Sequence, residues 1–218
     1  MAGAARPWVI KIGGSLAAGP ANLARWLAAL EAGRRRVVVV PGGGPFADAV
    51  RDAQTALRFD DSTAHRMALL AMEQYGAVLC ALGHGFVPAV TFDDIARARR
   101  DGLVPVWAPT ALALAAAEIP HGWAVTSDSL AAWLCDRLDA AALVLVKSAP
   151  RPPDGTPARL AAAHGLVDAA FPRFAPQGCP AACLGPGDQD LLAAALQGRS
   201  GLSGRIAPAP AWEAAALC

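Results

Sequence analysis

Lysine is almost missing from this 218-residue chain: of 19 basic residues only Lys11 and Lys147 are lysine, and the rest are arginine. Where general positive charge is needed the sequence uses arginine, so the two lysines mark places that want a compact ammonium rather than a planar fork. Charge itself is scarce, at 17% of residues, and the net charge of +1 gives no overall field to gather nucleic acid or a membrane surface. The triplet Arg34, Arg35 and Arg36 is too short for a polybasic segment and reads as a solvated helix exit. Apolar runs such as Ala111–Ala117 fall far short of the roughly 20 residues of a membrane helix. The N-terminal MAGAARPWVI has no secretory apolar region, so a cytoplasmic location is expected. Histidine is absent near Cys179 and Cys183, which speaks against a zinc site. With Cys80, Cys135 and Cys218 they read as free thiols, and no metal ligands are expected. There is no G-x-x-x-x-G-K-[ST] loop and no H-R-D with D-F-G, which excludes P-loop enzymes and protein kinases.

What is present is the makeup of a packed globule, 55% hydrophobic, in alternating strand-like and helix-like stretches. PWVIKI (7–12) predicts a buried strand and GGS (13–15) a turn. Leu23, Trp26, Leu27 and Leu30 recur at helical spacing over 20–32. RVVVV (36–40) predicts a strand buried on both faces, as in a parallel sheet, and 45–58 a helix with Pro45 in its first turn. A third helix is expected over 62–75, capped by Ser62 and closed by Gly76, with strands following in AVLCAL (77–82) and VPAVTF (87–92). Further on come a helix at 93–100, a strand in LVPVW (103–107), a helix at 127–138 and a strand in AALVLVK (141–147). The proline-rich APRPPDGTP (149–157) marks a candidate lobe boundary. A strand AACL (181–184), a helix at 188–197 and a last strand around Arg205 and Ile206 complete an α/β pattern with a mainly parallel sheet.

Two successive strands end in glycine turns, KIGGS and VPGGGP. Parallel strands point the same way, so both turns fall on the sheet edge where such folds bind ligands. Lacking Cβ atoms, Gly13, Gly14, Gly42, Gly43 and Gly44 let backbone N–H groups approach an anion, and the helix opening at Pro45 aims its positive end there. Lys11 precedes the first turn, in a strand where a bare charge is costly unless paired. In VTSDSLAAWL, Thr126 or Ser127 can cap a helix that carries Asp128 in its first turn. An acid there complements the helix dipole in any protein. This one also precedes a strand ending in the other lysine. If the sheet order brings Lys11, Asp128 and Lys147 together, the carboxylate stays ionised and holds both ammonium groups. That suits phosphoryl transfer, which needs neutralised charge and alignment more than a covalent partner. A competitor is a nicotinamide-dependent oxidoreductase, because GGGPFA (42–47) satisfies the relaxed dinucleotide fingerprint with Asp60 and Asp61 near the expected offset. Against it, LRFDDST lies between two helices and not at a strand end.

VIKIGGSL, VVVVPGGGPFADAVR and VTSDSLAAWLCDRLDAAALVLVK, in that order over residues 7–150, resemble the amino acid kinase family. The resemblance implies a three-layer αβα sandwich with a central mainly parallel sheet, one domain over 1–218 in which 1–125 binds the acceptor and 126–218 the nucleotide. It implies ATP as donor, with Mg²⁺ arriving on it. By position, Lys11 would stabilise the transferring phosphoryl group, Asp128 would organise the lysines, and Lys147 would lie toward the nucleotide with Ser148, Gly185 and Gly187. Gly13, Gly14, Ser15, Gly42, Gly43 and Gly44 would line the phosphate path. Within the family, PGGGPFADAVR…AHRMALLAMEQYG is similar to the small kinases of methanofuran-type coenzyme synthesis, which convert an (aminomethyl)furan-methyl phosphate to its diphosphate. That branch points to Arg51, His65 and Arg66 for the acceptor's phosphate and to Asp48 or Asp60 for its amine. The expected partner is a small phosphate or carboxylate acceptor, without nucleic acid or membrane, bound by a homodimer or larger homo-oligomer. Many members carry an acidic S/T-D-V-x-G loop where this chain has SAPRPPDGTP, with GPGD (185–188) or GLSG (201–204) as substitute nucleotide turns. The alternative to a kinase is therefore a non-catalytic ligand-binding or scaffold protein of the same fold.

Overall fold

The computed structural model describes residues 5–208; Trp212, Cys218 and the rest of the closing stretch lie outside them. The first half alternates β1 (Trp8–Ile12), α1 (Pro20–Ala32), β2 (Val37–Pro41), α2 (Gly44–Leu57), α3 (Asp61–Leu82), β3 (Phe86–Ala89), α4 (Phe92–Arg100), β4 (Val104–Trp107) and α5 (Thr110–Ala115). The second half holds α6 (Ser127–Arg137), β5 (Ala142–Val146), β6 (Thr156–Pro157), α7 (Ala158–Ala163), α8 (Phe171–Phe174), β7 (Ala181–Leu184), α9 (Gln189–Leu196) and β8 (Arg205–Ala207). All eight strands join one sheet in the order β3–β4–β2–β1–β5–β7–β8–β6, and only the β7–β8 pairing is antiparallel. The expected mainly parallel α/β sheet is what forms. Among the described residues no helix is long and apolar enough to cross a membrane.

Both sheet faces are covered. Val9, Val38, Val40, Leu143 and Leu145 pack against α6 and its neighbours, while Ile10, Ile12, Val39, Val144 and Val146 pack against α1 and α9. This explains why β2 can be a nearly unbroken valine run: neither face meets water. Alternation along β1 puts Lys11 on the face of Val9, toward α6. Ile12 is level with Pro41 on one side and Val146 on the other, so β1, β2 and β5 end together. The chain passes from β1 to β2 on one side and returns to β5 on the other. The crevice at that change of direction is where parallel sheets of this kind receive ligands.

The third helix differs from its expected form. It runs from Asp61 to Leu82, so AVLCAL is its last two turns and not a strand. A short apolar run fits either element, and here packing on the sheet decides for the helix. Gly76 does not close it; a Cβ there would lie 3.3 Å from both Pro41 and Val106 side chains, so glycine lets the helix settle onto the sheet. The N-cap is Asp60, whose carboxylate accepts from Thr63 N–H at 2.7 Å, in place of Ser62. VPAVTF is strand only as far as Ala89, because Thr91 caps α4 through a reciprocal pair with Asp94.

Candidate functional site

Lys11, Asp128 and Lys147 meet at the ends of β1, α6 and β5. Lys11 Nζ lies 3.0 Å from Asp128 Oδ1, and Lys147 Nζ donates to Oδ2 at 2.6 Å. The three side chains are 7%, 5% and 16% exposed, so the ion pairs sit almost out of water but open at the Lys147 end. Burial pushes the Asp128 carboxyl upward; the two ammonium groups outweigh it and hold the group below its ordinary value, hence ionised. Burial lowers Lys11, opposed chiefly by Asp128. Asp128 Oδ1 accepts no aligned hydrogen bond. The Lys11 contact is therefore mainly ionic, and its ammonium retains donors for a further oxygen.

Asp168, which follows α7, holds this arrangement from behind. Its Oδ2 accepts from Thr126 N–H at 2.9 Å, Thr126 Oγ1 at 2.8 Å and Ser129 N–H at 3.0 Å, while Oδ1 receives the Ser129 hydroxyl. Thr126 is the N-cap residue of α6, as expected, but its own hydroxyl does no capping; a carboxylate about 40 residues further along does it. The Asp168 N–H then donates to Asp128 Oδ2 at 3.3 Å. Nothing in the local spacing pointed to Asp168, because its partners are brought to it only by the fold.

The glycine turns divide their labour. Gly13 N–H donates to Val146 O at 3.0 Å and Gly42 N–H to Ile12 O at 2.8 Å, so these two amides extend the sheet and are unavailable to an anion. Gly14, Gly43 and Gly44 make no such backbone bond among the described residues. The turns touch: a Cβ on Gly14 would lie 2.1 Å from Gly44 N, and Gly44, at φ +55°, opens α2 with Pro45 behind it. Of the five turn glycines, Gly14, Gly43 and Gly44 are therefore the ones whose amides are not taken up by the sheet, and they lie beside the N-terminus of α2. Ser15 Oγ donates to Ser148 Oγ at 2.9 Å, tying the first turn to the segment after β5.

A cavity of about 470 Å³ opens beside the turns, lined at one end by Gly14, Ser15, Gly43 and Gly44 and elsewhere by Asp48, Arg51, His65, Leu69, Met72, Trp123, Thr126 and Ser127. Arg51 lies 4.3 Å above the Trp123 ring and pairs with Asp48 at 2.9 Å. Trp123 is fixed by its indole N–H on Gln54 Oε1, 2.6 Å away. His65 is buried and stacks on His121 at 5.0 Å, and its Nε2 has no partner. Of the acceptor candidates, Arg51, His65 and Asp48 reach the cavity. Arg66 is exposed and off its lining, and Asp60 is spent on the helix cap. No strand precedes Asp60 and Asp61, so the dinucleotide pattern lacks its ribose acid.

Lys147 and Ser148 follow β5, and Gly185 and Gly187 follow β7, two strands that end side by side. Gly185 N–H is taken by Asp188 Oδ2 at 2.8 Å, and Asp188 pairs with Arg151 at 3.5 Å, which pins the proline-rich loop onto this turn. Cys179 does not associate with Cys183; its sulfur lies 3.1 Å from that of Cys135 on α6. Among the described residues no three of His, Cys, Asp and Glu converge as metal ligands.

The chain resembles known proteins in sequence and in fold. Over 139 residues the chain is 30% identical to the (5-(aminomethyl)furan-3-yl)methyl phosphate kinase of Methanocaldococcus jannaschii, a stretch spanning 63% of each protein. In fold it resembles the crystal structure of uridylate kinase from Archaeoglobus fulgidus, with TM-score 0.70 and 15% identity over 92% of this chain and 100% of that one. UMP kinase from Ureaplasma parvum gives a TM-score of 0.62 at 16% identity over 93% and 98% of the two chains. Residues 6–151, which contain both glycine turns, Asp128 and both lysines, match the Amino acid kinase family, and the chain belongs to that family.

Proposed function

We propose that this chain is an ATP-dependent small-molecule kinase that converts a phosphate monoester, of the (aminomethyl)furan-methyl phosphate class, to its diphosphate. The observation that carries the reading is one buried carboxylate holding two ammonium groups beside a pair of touching glycine turns. ATP, when bound, supplies the γ-phosphoryl group: an acceptor phosphate oxygen bonds to the γ-phosphorus, the bridging bond to the β-phosphate breaks, and ADP leaves. Lys11 neutralises charge on the moving group, and the amides of Gly14, Gly43 and Gly44 orient its oxygens. Asp128, kept ionised, holds the lysines apart and in place and takes no proton. Mg²⁺ takes one or two protein carboxylates together with substrate phosphates, so the cation would arrive on the nucleotide phosphates. On this reading residues up to 125 receive the acceptor and those from 126 the nucleotide, in a homo-oligomer whose size sedimentation would measure. A coupled assay of ADP release with ATP, Mg²⁺ and the furan phosphate tests it; no acceptor-dependent release would refute it.

A second reading, a non-catalytic binder, is favoured by the Arg151–Asp188 pair and the engaged Gly185 amide on the nucleotide side. Calorimetry separates the two. Acceptor binding with no heat from millimolar ATP favours the binder, and binding of both favours the kinase.

A further inference from the structure

His65 is only 3% exposed, yet it lines the cavity and its Nε2 makes no hydrogen bond. A buried polar atom left without a partner is costly unless a ligand or water meets it. The Gly122 backbone carbonyl lies close enough to the ring to favour its protonated form. Because Nε2 is unpartnered, the Gly122 carbonyl is placed on the Nδ1 side, and the neutral ring is assigned its proton on Nδ1. Burial, and then the neighbouring His121, push the His65 pKa below its ordinary value, so the ring is neutral at pH 7. Nε2 thus offers a lone pair. Phosphate oxygens at that pH are acceptors as well, and two acceptors do not bond.

Position agrees with chemistry. A Cβ on Gly44 would lie 3.5 Å from Tyr75, so the phosphate end of the cavity is level with Tyr75 on α3. His65 is ten residues earlier on the same helix, about 15 Å along its axis. We infer that His65 Nε2 is a specificity-determining atom that accepts a hydrogen bond from a donor group, an ammonium or a hydroxyl, at the non-reacting end of the acceptor. This moves His65 from the acceptor's phosphate, where the family likeness put it, to the opposite end, and it rests on the functional reading above.

The test measures binding of three furan-methyl phosphates, bearing an aminomethyl, a hydroxymethyl or a methyl group, by calorimetry without nucleotide. Wild type should bind the methyl compound about tenfold more weakly than the aminomethyl one, the usual penalty for stranding a buried acceptor. The hydroxymethyl arm tells whether an ammonium is required or any donor suffices. In His65→Phe, which keeps the ring stack, the three should bind alike, and His65→Gln, which restores an acceptor, should recover part of the preference. Equal binding of all three by wild type overturns the inference while the functional reading stands, and does so whether or not either variant folds. His65→Phe weakening all three equally would return His65 to the phosphate and also overturn it. If wild type binds none of them, the functional reading falls and this inference with it.

Discussion

At the scale of single residues, the two lysines share one buried carboxylate. Lys11 is 7% exposed along its side chain and meets Asp128 at 3.0 Å, a buried contact made by a compact ammonium. Lys11→Met should lower turnover by about a hundredfold or more, the loss typical of removing one charge-stabilising donor, while Asp128 keeps Lys147 and the fold stays intact by circular dichroism. Lys11→Arg should be nearly as damaging in the same ADP-release assay. The carboxylate between them makes a pH statement. Its pKa is depressed in the folded state, so the stability it confers is complete above its ordinary value of 3.8 and lost as pH falls below that toward the native value. Urea denaturation from pH 7 down to 3 should show a shallower loss of stability in Asp128→Asn than in wild type. Parallel curves would mean the carboxylate is not held by its lysines.

At the scale of elements, the fold depends on backbones that come unusually close. Gly14→Ala would drive a Cβ to 2.1 Å from Gly44 N, a backbone atom that cannot swing aside. Thermal melting should show a destabilisation of about 2 kcal/mol, typical of overpacking, with acceptor affinity lost as well. The N-terminus of α6 is the other critical end. Asp168→Asn keeps one accepting oxygen but not the four-bond clamp, and should cost about 1–2 kcal/mol of stability. Because Asp168 acts through Asp128, kcat should fall more than KM changes; an effect on KM alone would argue against that role. The sequence made the repeating elements readable, since Leu23, Trp26, Leu27 and Leu30 share one face of α1 and the valines of β2 are buried on both faces of the sheet. It misled at α3, where an interior glycine serves close packing and an apolar run fits strand or helix equally. It was silent on α5, α7, α8 and β6, which are too short to carry a period. Asp168 and the Cys135–Cys179 contact escaped notice for another reason: each joins segments that meet only in three dimensions.

At the scale of the whole molecule, sheet order does the assembling. β1 lies between β2 and β5, all three end level, and residues more than a hundred positions apart become neighbours at one mouth. Lys11, Asp128 and Lys147 could be paired from sequence because strand direction and turn chemistry follow simple rules. The division of the glycine amides could not, because which N–H is spent on the sheet depends on register: Gly13 and Gly42 lose theirs to Val146 and Ile12. The most direct measurement is phosphorus NMR of the protein with ATP, Mg²⁺ and (5-(aminomethyl)furan-3-yl)methyl phosphate, alongside the Lys11→Met variant. Wild type is expected to produce ADP together with a new pair of coupled diphosphate signals from the furan compound, and the variant neither within the same time. An unchanged acceptor signal with wild type, or equal diphosphate formation by the variant, would contradict the role given to the paired lysines.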